Sequence, residues 1–109
     1  MRVTIPVDDA QADQHLPEVK ADGSGVGINY VDQILKNFKL TLSDGRKMMA
    51  KRRGLKITLT IGDKQGEAIL RRMEHGPDVK TIFHKALTEA AENAGATLQI
   101  EPNQIHLEV

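Results

Sequence analysis

One stretch, Pro77 to Ala94, constrains the fold more than any other, because it is a helix set between segments that read as strands. Val79, Ile82, Phe83, Ala86, Leu87, Ala90 and Ala94 recur at three- and four-residue spacing and so share one helical face. Lys80, Lys85, Glu89 and Glu92 fall toward water. Pro77 suits the first helical position, where its missing N–H costs nothing, and Asp78 complements the positive end of the helix dipole. Gly95 can take the left-handed conformation that closes a helix.

The flanking segments alternate with period two. Val3, Ile5 and Val7 mark a short strand over Arg2 to Val7. Leu55, Ile57, Leu59 and Ile61 alternate with Lys56, Thr58 and Thr60, the clearest strand in the chain. Phe38, Leu40 and Leu42 lead into Ser43-Asp44-Gly45-Arg46, a hairpin signal. A loop of Asp44, Gly45 and Arg46 sets Leu42 opposite Met48 and Leu40 opposite Ala50, apolar against apolar. Glu101-Pro102-Asn103-Gln104 reads as a turn with Pro at its second position. Closing it places Ile100 opposite Ile105, Leu98 opposite Leu107, Gln99 opposite His106 and Thr97 opposite Glu108.

Two segments are less regular. Ile28, Val31, Ile34, Leu35 and Phe38 form a helical stripe, which favours helix across Asn29 to Asn37 over an extended alternative. Gly62 turns the chain, Asp63 suits a helix N-cap, and Ile69, Leu70 and Met73 then predict a short helix to about Glu74. The expected class is α+β, a mostly antiparallel sheet with helices packed on one face. The order is strand, loop, helix, three strands, two helices, two strands. The open face of that sheet carries Lys56, Thr58, Thr60, Gln99, Glu101, His106 and Glu108.

A chain of 109 residues fits one domain, 1–109, with a core large enough to stand without metal or disulfides. That core is aliphatic, since Tyr30, Phe38 and Phe83 are the only aromatics. The absence of cysteine excludes thiolate chemistry and cysteine-ligated zinc. No apolar run approaches a membrane span, and the start lacks a signal-peptide core, so a cytoplasmic protein without membrane contact is expected. Residues 8–27 are acidic and glycine-rich and read as a mobile loop. Gly23, Gly25 and Gly27 lack the spacing of a phosphate-cradling motif and read as a hinge.

Charge is the most informative compositional feature. Net charge is zero, yet residues 36–56 carry eight basic side chains against Asp44 alone. Arg46, Lys47, Lys51, Arg52, Arg53 and Lys56 lie on or beside one hairpin, and a protruding basic ribbon can enter a nucleic-acid groove or grip phosphates. Scarce aromatics argue against base stacking, and a neutral pI argues against a dedicated binder. Pairing of the cluster with Asp8, Asp9 and Asp13 is the competing reading.

Catalytic signals are weak. His15, His75, His84 and His106 show no i, i+4 pair, so no metal site or cofactor is expected. Gln99, Glu101, His106 and Glu108 are a polar-face candidate for acid–base work, but a flat sheet offers no shielding. Ser24 and Ser43 sit outside any nucleophile motif. The leading expectation is a non-enzymatic protein-interaction module that self-associates, for instance by strand exchange through its N-terminal strand. A nucleic-acid-binding regulator using residues 46–56 is the alternative, and an enzyme using the polar face comes third.

Overall fold

The computed structural model describes residues 1–7, 26–70 and 79–109. Among these residues seven strands and two helices follow in order: β1 (Arg2–Pro6), α1 (Val26–Lys36), β2 (Leu40–Thr41), β3 (Lys47–Arg53), β4 (Lys56–Ile61), β5 (Lys64–Ile69), α2 (Val79–Asn93), β6 (Thr97–Glu101) and β7 (Gln104–Glu108). The class is α+β, and every strand pair is antiparallel. The strands divide into two sheets, of order β1-β7-β6 and β2-β3-β4-β5.

The C-terminal hairpin has the register read from its turn, with Leu98 opposite Leu107 and Gln99 opposite His106. β1 takes the other edge of β7, Ile5 against Ile105. Helix α2 ends as its glycine predicts. Gly95 has φ +82, and Ala96 N donates to Ala91 O at 2.8 Å while Gly95 N donates to Glu92 O at 3.0 Å. These two bonds close a Schellman cap on carbonyls the helix leaves over. The expected helix start at Pro77 and Asp78 lies outside the described residues. Residues 28–36 are helical, not extended, and α1 begins at Val26, so the last two residues of the expected 8–27 loop belong to the helix.

Residues 64–69 form a strand where a short helix was expected. Gly66, Ala68 and Leu70 are buried while Gln65, Glu67 and Ile69 are exposed, the alternation of a half-buried strand. Small inward residues hide this period from a hydrophobicity reading. They are small because α2 lies directly on them: a Cβ at Gly66 would collide with the Ala90 carbonyl oxygen and the Ala94 nitrogen. Asp63 is then a hairpin residue rather than an N-cap, following Gly62 at φ +62. Residues 71–74 of the expected helix lie outside the described residues.

The first hairpin also differs. Leu40, not Leu42, faces Met48, and the loop is Ser43, Asp44 and Gly45. Gly45 supplies the left-handed position at φ +90, and Leu42 N donates to Arg46 O at 2.8 Å. The slip is two residues, so every side chain keeps its face.

Both helices cover one face of the four-stranded sheet. Val31, Ile34 and Leu35 of α1 and Phe83, Ala86, Leu87 and Ala90 of α2 join Met48, Ala50, Ile57, Leu59 and Ile61 in one buried cluster. Ile5, Leu98, Ile105 and Leu107 of the three-stranded sheet belong to the same cluster, and α2 touches both sheets. Burying side chains such as Phe83 and Leu87 contributes about 1.5–3 kcal/mol each. Lys56, Thr58 and Thr60 therefore lie on a different sheet from Gln99, Glu101, His106 and Glu108. The single open face expected of them is two faces, because β1 rather than a strand of the other sheet completes β7. No helix among the described residues is long and apolar enough to cross a membrane.

Candidate nucleic-acid interface

Strand alternation sorts the basic segment. On β3, Met48, Ala50 and Arg52 turn toward the helices, while Lys47, Met49, Lys51 and Arg53 turn to the opposite face, which no helix among the described residues covers. Lys56, Thr58 and Thr60 of β4 and Gln65, Glu67 and Ile69 of β5 share that outer face by register. Lys51 stands opposite Thr58, which stands opposite Glu67, and Arg53 stands opposite Lys56. An open depression of about 470 Å³ on this side is lined by Met49, Thr58 and Thr60, by Lys51, Arg53, Lys56, Gln65 and Glu67, and in part by Arg52 between its two neighbours.

Two of the six expected contact residues are taken elsewhere. Arg52 reaches α1, where its Nε donates to Asp32 Oδ1 at 2.7 Å and its Nη2 donates to Oδ2 at 3.1 Å. Its Nη1 donates to the Gly54 carbonyl at 2.7 Å. Hydrogen bonding to Asp32 raises the Arg52 pKa above its usual value. Arg46 is held by its neighbour: Asp44 accepts from the Arg46 backbone N–H at 3.0 Å and from its Nε at 2.7 Å. The backbone bond is the main cause that holds the Asp44 carboxyl below its usual range. Lys47, Lys51, Arg53 and Lys56 remain as the cations of the open face. Of these only Lys56 has a carboxylate among the described residues, Glu67 at 3.2 Å, with both side chains half exposed. Gln65 and Glu67 carry no signal of this face in the sequence, where Asp63, Ile69, Leu70 and Met73 point to helix.

The polar-face candidates are brought together on the three-stranded sheet. His106 is 8% exposed at its centre. Its Nε2 lies 3.2 Å from Glu101 Oε2, and its Nδ1 lies 3.0 Å from Thr4 Oγ1. Gln104 Nε2 also donates to Glu101 Oε2, at 2.8 Å. These bonds, Gln104 first and His106 second, hold the Glu101 carboxyl below its usual range. An ionised Glu101 accepts from Nε2–H, which leaves Nδ1 to accept from the Thr4 hydroxyl. Both ring nitrogens are thus engaged within the fold. Glu108 pairs loosely with Arg2 at 3.9 Å, and Gln99 is exposed. Thr4 was not singled out in the sequence, because it reaches His106 only through the pairing of β1 with β7. No group of three or more His, Asp or Glu among the described residues could hold a metal ion. His15 and His75, Gly23 and Gly25, and the acidic Asp8, Asp9 and Asp13 lie outside the described residues.

Comparison with known proteins finds no matching family model, no matching curated protein and no matching solved structure.

Proposed function

We propose that the chain is a non-enzymatic nucleic-acid-binding module, and that the outer face of the four-stranded sheet contacts phosphates through Lys47, Lys51, Arg53 and Lys56. One observation carries this reading: among the described residues, four cations stand with one acid on a single sheet face that neither helix covers, with Arg53 directly opposite Lys56. Like charges in that relation destabilise a sheet by roughly 0.2–1 kcal/mol. A phosphate between them removes the repulsion. Thr58, Thr60 and Gln65 add hydroxyl and amide donors beside it.

The test is fluorescence anisotropy of labelled nucleic acid with the full chain at several salt concentrations. Four contacts predict a log–log salt slope of about −3.6 on duplex DNA, and each cation neutralised lowers it by about one. Glu67→Gln, which releases Lys56, is expected to tighten binding. Affinity that ignores salt and survives the combined Lys51→Gln, Arg53→Gln and Lys56→Gln variant removes the proposal.

Self-association is a second reading, favoured by Ile69, 61% exposed on the outermost strand of this sheet. The Asn93 side-chain amide, whose Nδ2 donates to the Glu67 carbonyl at 2.9 Å, shields only part of that edge. Light scattering that gives a monomer mass at high concentration, unchanged by Ile69→Lys, eliminates it.

A further inference from the structure

We infer that the ligand of this face is a duplex, held by its phosphates without regard to base sequence; this rests on the nucleic-acid reading above. The first ground is width. The β3–β4 hairpin does not protrude, because β5 pairs with β4 as far as Lys56 opposite Ile69, beside the Gly54 turn. Three strands therefore run abreast even at the tip. Their axes span about 10 Å before side chains are added, while a major groove about 12 Å wide admits a two-stranded ribbon. The sheet lies across the groove and meets the phosphates, and base edges stay out of reach.

The second ground is the lack of any stacking surface. Phe38 and Phe83 are fully buried, and no aromatic residue stands on β3, β4 or β5. The face offers Met49, Thr58 and Thr60, none with a π-surface. Single strands are ordinarily held by base–aromatic stacking worth about 1–3 kcal/mol per base. Without it, the entropy an ordered single strand loses is opposed chiefly by its phosphate contacts, which are fewer than a duplex makes.

The third ground is charge placement. Lys47, Lys51 and Arg53 follow β3, with Lys56 beside its end, while β5 presents Glu67. The phosphate path is thus confined to β3, whose cations extend over about 20 Å at ~3.3 Å per residue. A duplex presents about twelve charges over that length and a single strand about half as many.

The experiment compares two duplexes of unrelated sequence and equal length with each of their single strands, at low salt, with phosphatidylserine vesicles as a further arm. Equal duplex affinities within about 3-fold, and single strands at least ~10-fold weaker, are expected. The double variant Lys51→Gln/Arg53→Gln should weaken both duplexes equally and keep the far-ultraviolet circular dichroism of the parent. Single strands bound as tightly as duplex, or a preference of more than about 10-fold between the two duplexes, overturn this inference and leave the nucleic-acid reading intact. No binding to any nucleic acid, with or without binding to vesicles, overturns both.

Discussion

On the outer face of the three-stranded sheet, Thr4, His106, Glu101 and Gln104 are joined in one hydrogen-bonded chain, and the central imidazole has both nitrogens occupied. On the outer face of the four-stranded sheet, Lys47, Lys51 and Arg53 have no carboxylate partner among the described residues, and Arg53 is set against another cation. The first arrangement satisfies its polar groups internally. The second leaves a cost within the sheet that an external anion can remove. A polar residue on a strand is therefore weak evidence of a site; its lack of a partner within the chain is stronger evidence.

The comparison requires that both faces be carried by one packed unit, and helix α2 is the seam between them. Its sharpest test is Gly66→Val, which forces a side chain into space held by the α2 backbone at Ala90 and Ala94. Steric overlap with backbone cannot be relieved by a rotamer change, so a loss of at least about 3 kcal/mol is expected in urea denaturation. Signals from His106 and from the Ile57 and Leu59 methyls should vanish in one transition. Survival of the His106 signal after the others have gone would separate the two sheets.

The next test divides adjacent residues of one strand. Arg52 and its neighbours Lys51 and Arg53 look alike in the sequence, but Arg52 binds Asp32 while the others face solvent. Side-chain exposures of 18% for Arg52 and 39% for Asp32 place this pair between a surface and a buried ion pair. Arg52→Met is expected to cost about 1–2 kcal/mol and to leave nucleic-acid affinity unchanged. Lys51→Gln is expected to do the reverse, staying within about 0.5 kcal/mol in stability. If Arg52→Met weakens binding as much as Lys51→Gln does, the division of the basic segment by strand face is wrong.

How far the sequence reveals this arrangement depends on what carries the signal. The Glu101–Gln104 hairpin and the Gly95 cap were legible because local turn chemistry and side-chain period agreed. The basic segment was legible as a segment, and β3 alternation could have set Arg52 apart, but only Asp32, twenty residues away, shows where it goes. Strand β5 was hidden because its inward positions are Gly66 and Ala68, sized to the helix above them, and no apolar period survives in such a strand. Without that period nothing local places Gln65 and Glu67 on the open face. The Thr4–His106–Glu101 chain was half legible: the turn brings Glu101 and His106 together, but Thr4 depends on which strand β1 joins, a choice that local sequence does not encode.

A smaller effect tests whether the three-stranded sheet is held by its polar chain. Thr4→Val preserves shape and removes the hydroxyl, leaving His106 Nδ1 without its partner at a site 8% exposed. The expected cost is about 1 kcal/mol, read from the urea midpoint at pH 7. A neutral result would mean that water replaces the hydroxyl, and that the face resembles its counterpart more closely than the hydrogen bonds suggest.

The last difference between the faces is their response to acid. Glu101 has a carboxyl pKa lowered from 4.5, chiefly by Gln104 and then by His106. A lowered folded-state pKa means that the ionised form is favoured by folding, so the contribution is fully present above about pH 4.5 and is lost as pH falls through the folded value. Asp44, beside the four-stranded sheet, is lowered from 3.8 by the Arg46 N–H, so its contribution fades in a more acidic window. Unfolding free energy measured from pH 7 to pH 3 should therefore decline first through Glu101. Glu101→Gln should flatten that first part of the decline, and Asp44→Asn only the later part. Acid sensitivity unchanged by Glu101→Gln would show that the hydrogen-bonded chain is not what sets the stability of its sheet, and the contrast between the two faces would rest on the cations alone.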